Sequence, residues 1–192
     1  MDPSFRRCTE DDIVQAAAVL AAAFDDYPWT RWTVPEDEYP RRLEELQAIY
    51  LAHAVDHGLV LVDEGVRAVI AFVPPSAPEP GSAAMGRIVA LHGDRLDAVA
   101  GAATPSPPTG AWELATLGVH PDHRGEGLGS RITTAGLDVV AELDPGASVA
   151  LETSDERNVR LYERLGFRLT ATTPIDRGPT VYSMLRAAAG AH

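Results

Sequence analysis

The chain has 192 residues, with 45% hydrophobic and 23% charged, the ordinary globular mixture at the length of one domain with room for a sizeable insertion. Its net charge of −12 argues against a nucleic-acid partner, since neutralising phosphates takes a basic surface, and is compatible with a cationic or amine-bearing small molecule. The single cysteine, Cys8, excludes an intrachain disulfide and a cysteine-based zinc site, and reads as a small buried hydrophobe.

In chain order, Met1 to Glu10 carries Asp2, Arg6, Arg7 and Glu10 and has no apolar core of an export signal. Phe5 to Cys8 alternates as a first strand. Thr9 followed by Glu10, Asp11 and Asp12 suits the positive start of a helix, which runs to about Phe24 and ends before Asp25-Asp26-Tyr27-Pro28. The apolar stretch Ile13 to Phe24 is too short to cross a bilayer. A second helix is expected from about Glu36 to Asp56, with Leu43, Leu46, Ile49, Tyr50 and Val55 as its apolar stripe and Gly58 as its stop. Leu59–Val62 and Val66–Val73 read as a hairpin across Asp63-Glu64-Gly65.

Residues 74–110 form a proline-rich excursion, helical over 83–100, with too few large apolar residues for a core of its own. Trp112–Val119 is a strand, followed by a glycine-rich turn and a helix from about Ser130 to Leu143. Ser148–Thr153 is a strand, Arg157–Leu165 a short helix, and Phe167–Ala171 and Val181–Leu185 are the last strands. The order predicts a single α/β domain over residues 1–192, a mixed sheet with helices on it, with 74–110 as a variable insertion.

The turn from Pro121 to Gly129 is the most informative segment. Three alternate glycines, Gly125, Gly127 and Gly129, sit between a strand and a helix, where backbone can approach a ligand closely and unpaired amides meet the positive helix end. Such a turn suits a pyrophosphate, and Arg124 adds positive charge. It is not a P-loop, because no Gly-Lys-Ser/Thr closes it. It is not a dinucleotide fingerprint, because residue 130, where the third glycine would fall, is Ser130. The six histidines show no metal-ligand pattern: His53 and His57 are four apart, but residue 54 is Ala54, so both read as structural or surface groups and no metal is expected.

Val119-His120-Pro121-Asp122-His123-Arg124-Gly125-Glu126-Gly127-Leu128-Gly129 resembles the V-x-P-x-x-[RQ]-G-x-G-[LIY]-G/A signature of the GNAT superfamily of N-acetyltransferases. A second block, Leu151-Glu152-Thr153-Ser154 followed by Asn158 to Phe167, resembles that family's block ending in L-Y-x-x-L-G-F. From about Arg7 to Arg186 the chain is also similar to the branch of the superfamily that acetylates the aminonucleoside puromycin, through Leu20 to Phe24, Asp26-Tyr27-Pro28 and Leu114-Ala115-Thr116. Residues 74–110 depart from that branch, as do Trp29 and Trp32, all where an acceptor pocket would form.

The resemblance implies a mostly antiparallel mixed sheet, splayed at its fourth and fifth strands, with helices on both faces. It implies acetyl-CoA as cosubstrate and a small-molecule amine as acceptor; with no export signal and no apolar stretch of bilayer length, a soluble cytoplasmic protein is expected, a monomer or homodimer with no membrane partner. Leu117, Gly118 and Val119 would then meet the thioester and pantetheine, and Arg124, Gly125, Glu126, Gly127, Leu128, Gly129 and Ser130 the pyrophosphate. Asn158 would meet the pantetheine arm.

Acetyl transfer from a thioester needs a neutral amine, donors for the developing oxyanion and a proton for the leaving thiolate. Tyr162 occupies the motif position of the general acid. Glu152, Glu113 or a water chain would take the amine's proton. Glu113 lies four residues before Leu117, which in a regular strand puts both on one face. Phe24, Tyr27, Trp29 and Trp32 would wall an acceptor site or else tie a loop to the core. Alternatives of another class are acetylation of proteins and peptides, or non-catalytic sensing of acyl-CoA.

Overall fold

In the computed structural model, which describes residues 4–188, the chain runs β1 (Phe5–Arg7), α1 (Ile13–Ala23), α2 (Pro28–Thr33), α3 (Tyr39–His57), β2 (Leu59–Asp63), β3 (Ala68–Val73), α4 (Ser82–His92) and α5 (Leu96–Gly101). It continues β4 (Trp112–Val119), α6 (Leu128–Leu143), β5 (Val149–Thr153), α7 (Glu156–Arg164), β6 (Arg168–Pro174) and β7 (Thr180–Arg186). Residues 1–3 and 189–192, part of the expected domain, lie outside the described residues.

The seven strands form one sheet in the order β1-β2-β3-β4-β5-β7-β6. Every pairing is antiparallel except β4 with β5. Period-two alternation sends Ala68, Ile70 and Phe72 to the face covered by α6 and α7, and Val69 and Ala71 to the face covered by α1 and α3. The helices thus sit on both faces, as expected.

Three local departures have physical causes. Pro28 does not end a helix but begins one: it occupies the first turn of α2, where its missing N–H has no intrahelical partner to lose. The third strand starts at Ala68 rather than Val66, because Val66 turns with φ +50° and the Asp63 carboxylate accepts from the amides of Arg67 (2.5 Å) and Ala68 (2.8 Å). The helix expected over 83–100 is two helices, parted at Gly93, φ +51°.

The excursion gains its core from α3. Ile88 and Leu91 of α4 pack with Val34, Tyr39, Leu43 and Leu46, and Arg42 donates to the carbonyls of Ala90 (3.1 Å) and Leu91 (3.2 Å) at the end of α4.

On the other side of the sheet's centre, α1 crosses β4 over Gly118. A Cβ there would lie 2.6 Å from Leu20 Cδ2 and 3.1 Å from Ala23 Cβ. Gly118→Val should therefore push α1 outward and cost about 1–3 kcal/mol by overpacking. A lower urea midpoint at unchanged m value is the expected reading; an unaltered midpoint would mean that α1 yields freely.

Candidate active site

The cleft begins where β4 and β5 part. Their parallel register holds only for Trp112↔Val149 and Glu113↔Ala150. Beyond it β4 pairs with β3 alone, and β5 with β7 alone. A bulge helps to open the wedge. Phe72 faces Leu114 and Ala71 faces Thr116, so Ala115 has no partner on β3. One extra residue bends and twists its strand.

The bulge also reverses the side-chain alternation. Trp112 and Leu114 lie on the α6/α7 face, and so do Leu117 and Val119, while Gly118 meets α1. Glu113 therefore does not share a face with Leu117, as a regular strand would require. It sits opposite Val73, on the α1/α3 side. Glu152 projects to the same side of β5 as Ala150, because Val149 and Leu151 face the other core. The two glutamates thus share one face of the parted strands.

A cleft of about 620 Å³ runs from this face through the gap between the parted strands. Phe24, Tyr27, Trp29, Glu113, Leu117, Glu152, Asn158 and Tyr162 all line it. Trp32 does not: it packs tilted against Trp29, with centroids 5.3 Å apart and planes at 57°, and its ring closes on Gly178, where an added Cβ would come within 2.8 Å of it. Tyr27 is a tie as well as a wall. Its hydroxyl bonds Thr153 Oγ1 at 2.8 Å and accepts the Ser154 N–H at 2.7 Å. Asn158 Nδ2 donates to the same Thr153 oxygen at 3.3 Å, and the Trp29 N–H to Ser154 Oγ at 3.1 Å. These bonds pin the α1–α2 segment to the end of β5.

Tyr162 is 6% exposed, with its ring edge-on to Phe167 at 5.6 Å. Its hydroxyl has no hydrogen-bond partner among the described residues. Burial, with Tyr27 adding, raises its pKa, so it holds its proton through neutral and mildly alkaline pH.

Glu152 accepts from Ser183 Oγ at 3.1 Å. Water reaches Glu113 through the cleft, yet protein surrounds it on the other sides. That burial, with the Glu152 charge adding, raises its pKa. A raised carboxyl contributes stability that is whole below its unfolded-state pKa and is lost as pH rises through the folded value. Glu113→Gln should therefore raise Tm at pH 7, with the gain vanishing below about pH 4, where both side chains are neutral. A lower Tm at pH 7 would show that the charge is already compensated.

At the other end of β4, Gly125 (φ +86°) and Gly127 (φ +74°) adopt left-handed backbone with open space beside them. Gly129 needs no such freedom: a Cβ there would touch Val119 Cγ2 at an ordinary 3.6 Å. The first intrahelical bond of α6 joins the Arg131 N–H to the Gly127 carbonyl, so the amides of Leu128, Gly129 and Ser130 have no partner within the helix. Arg124 donates to the Ala23 carbonyl at 2.9 Å, capping α1 against the turn, and Glu126 pairs with His123 at 3.0 Å.

Residues to which the sequence assigns no site role also line the cleft. Among them are Gln47, Tyr50 and His53 of α3, Thr153 and Ser154 at the end of β5, and Pro74, Pro78 and Glu79 of the excursion. Tyr50 is 43% exposed and lines the cleft, so it is not part of a core stripe. The spacing of Gln47, Tyr50 and His53 marks a second helical stripe, and this is the signal that could have found them.

Parted central strands, with an amide-rich turn at one mouth and a carboxylate-lined chamber at the other, are the frame of an acyl-transferring enzyme. The chain belongs to the acetyltransferase (GNAT) family, whose sequence model matches residues 21–167. Members of that family use acetyl-CoA. Among solved structures, one described as a histone acetyltransferase and related acetyltransferase from Corynebacterium glutamicum is 25% identical, with TM-score 0.76 over 98% of each chain. An N-acetyltransferase from Staphylococcus aureus is 16% identical, with TM-score 0.63 over 94% of this chain and 98% of that one. A mycothiol acetyltransferase of Acidimicrobium ferrooxidans is 39% identical over 64 residues, 33% of this chain and 21% of that protein. One from Nocardiopsis dassonvillei is 34% identical over 88 residues, 45% of this chain and 26% of that protein. The matches thus span about a quarter or less of these curated relatives. Among the described residues, no helix is long and apolar enough to cross a membrane, and no cluster of metal-ligating side chains occurs.

Proposed function

We propose that this acetyltransferase moves the acetyl group of acetyl-CoA onto the primary amine of a small molecule by direct attack. The observation that carries the reading is the cleft at the β4–β5 opening, which Tyr162, Glu152, Glu113 and Leu117 line together. The amides of the turn, Gly125 and Gly127 to Ser130, hold the pyrophosphate with Arg124 beside them, while Glu126 stays with His123. The pantetheine arm runs along Val119 and Gly118 towards Leu117, with Asn158 on its far side, and the Leu117 amide meets the thioester oxygen. The bound acetyl thioester supplies the electrophile.

Glu152 lies further along the opening than Glu113 and so nearer Leu117; it takes the amine's proton. As the C–N bond forms and the C–S bond breaks, Tyr162 gives its proton to the departing sulfur. Phe24, Tyr27 and Trp29 wall the acceptor. The excursion adds Pro74, Pro78 and Glu79 to the lining, and this extra wall favours a compact acceptor over a protein chain.

The acceptor is found by screening amines and peptides for coenzyme A release, with puromycin included on the strength of the shared segments. Turnover of small amines supports this reading. Acetylation of peptides alone would replace it with a protein acetyltransferase. Thermal protection by acetyl-CoA without free thiol from any acceptor would leave a sensor.

A further inference from the structure

Resting on that reading, the arrangement of carboxylates narrows the acceptor class. Glu113 stands beside Ala150 in the parallel pair, and Glu152 is two residues further along the same face. Two steps along one strand and one step across place their backbones about 8 Å apart. Both side chains line the cleft, joined at its rim by Glu79, and no arginine lines it. The carboxylates of Glu113 and Glu79 make no hydrogen bond or ion pair among the described residues. The well-covered carboxylates of Asp12, Asp63 and Asp155, by contrast, each have a cation, with Arg6 at 2.6 Å, Arg67 at 2.7 Å and Arg157 at 2.7 Å. Carboxylates facing one chamber, with His53 as the only titratable nitrogen in its lining, repel one another when charged, and an entering cation relieves that repulsion.

A second feature of the same chamber points independently to a ligand. The Tyr162 hydroxyl, on a side chain only 6% exposed, has no hydrogen-bond partner among the described residues and opens onto the cleft, so it is free to donate to a group that binds there. Trp29 and Tyr50 add aromatic faces against which methylenes and an ammonium can lie.

We propose that the acceptor is a diamine: one primary amine attacks beside Glu152, and a second, protonated amine about four or five methylenes away is held by Glu113. The reacting nitrogen forms the bond to the acetyl carbon and loses its proton to Glu152. The carbon–sulfur bond breaks, the thiolate takes the Tyr162 proton, and the second amine is unchanged. The product is a mono-N-acetyl diamine with one positive charge fewer, so its hold on the acidic chamber weakens and release is favoured.

The test compares 1,5-diaminopentane with 1-aminopentane, which differ only in the second nitrogen, by coenzyme A release from wild type and Glu113→Gln. Self-acetylation on lysine cannot add to the signal, because the chain contains no lysine. Wild type should prefer the diamine by about tenfold or more in kcat/KM, chiefly through KM. In Glu113→Gln that ratio should collapse to below about twofold. A wild-type ratio near one overturns the proposal whether or not the variant folds. So does a ratio that survives the substitution, or turnover of other amines but of neither pentyl compound. If no amine at all releases thiol, it is the acetyltransfer to small amines that fails.

Discussion

A Gly127→Asp variant is expected to lose about a hundredfold in acetyl-CoA affinity by isothermal titration. Gly127 precedes the free amides of α6 and holds φ +74° with nothing near its Cα, so a side chain there extends into the mouth of the turn. A carboxylate about 4 Å from a phosphate charge, at an effective dielectric constant near 20, costs about 4 kcal/mol. The turn is exposed, and screening by water and salt trims that figure, hence about a hundredfold rather than a thousandfold. Asparagine has the same shape and a similar tolerance of left-handed backbone. Gly127→Asn should therefore retain most of the affinity, and the aspartate defect should shrink as salt rises. Equal losses in both variants would assign the effect to backbone strain. Unchanged affinity in the aspartate variant would remove this turn as the phosphate site.

What can be read from the residues, and what cannot, follows from how each feature is encoded. The fourth strand and the glycine turn are plain in the sequence. Alternating burial marks Trp112 to Ala115, the first half of that strand, and left-handed backbone demands glycine at residues 125 and 127. The α2 helix is hidden because Pro28 carries opposite meanings at a helix end and a helix start, and six residues show too little periodicity to choose. Ala115 leaves no mark of its bulge, since nothing about an alanine distinguishes a paired strand position from an unpaired one. That silence puts Glu113 on the wrong face when four residues are simply counted back from Leu117. Trp29 and Trp32, close in sequence, part company because a six-residue helix sends one to the cleft and the other to the β6–β7 turn. The splay itself rests on where parallel pairing stops, a tertiary fact that is available to the sequence only through family resemblance.

Tyr162→Phe should lower kcat by about a hundredfold while acetyl-CoA binding holds within a few-fold. The substitution removes one oxygen from a ring packed against Phe167 and leaves that packing in place. The hydroxyl has no protein partner among the described residues, so its removal orphans no buried group and should barely move Tm. What is lost is the proton for the thiolate, and a positioned acid of this kind is worth about 10²–10⁴ in rate. The raised pKa sets the pH behaviour. A phenol that keeps its proton well above neutrality gives kcat no acid limb, and any alkaline fall lies above the ordinary tyrosine range. The decisive comparison uses acyl donors with leaving groups of graded acidity. Wild type should depend little on the leaving group's pKa, because Tyr162 supplies the proton, whereas the phenylalanine variant should turn over a more acidic thiol ester at nearly the wild-type rate. If the variant is uniformly slow with every donor, Tyr162 serves the geometry of the cleft, and protonation of the sulfur falls to water.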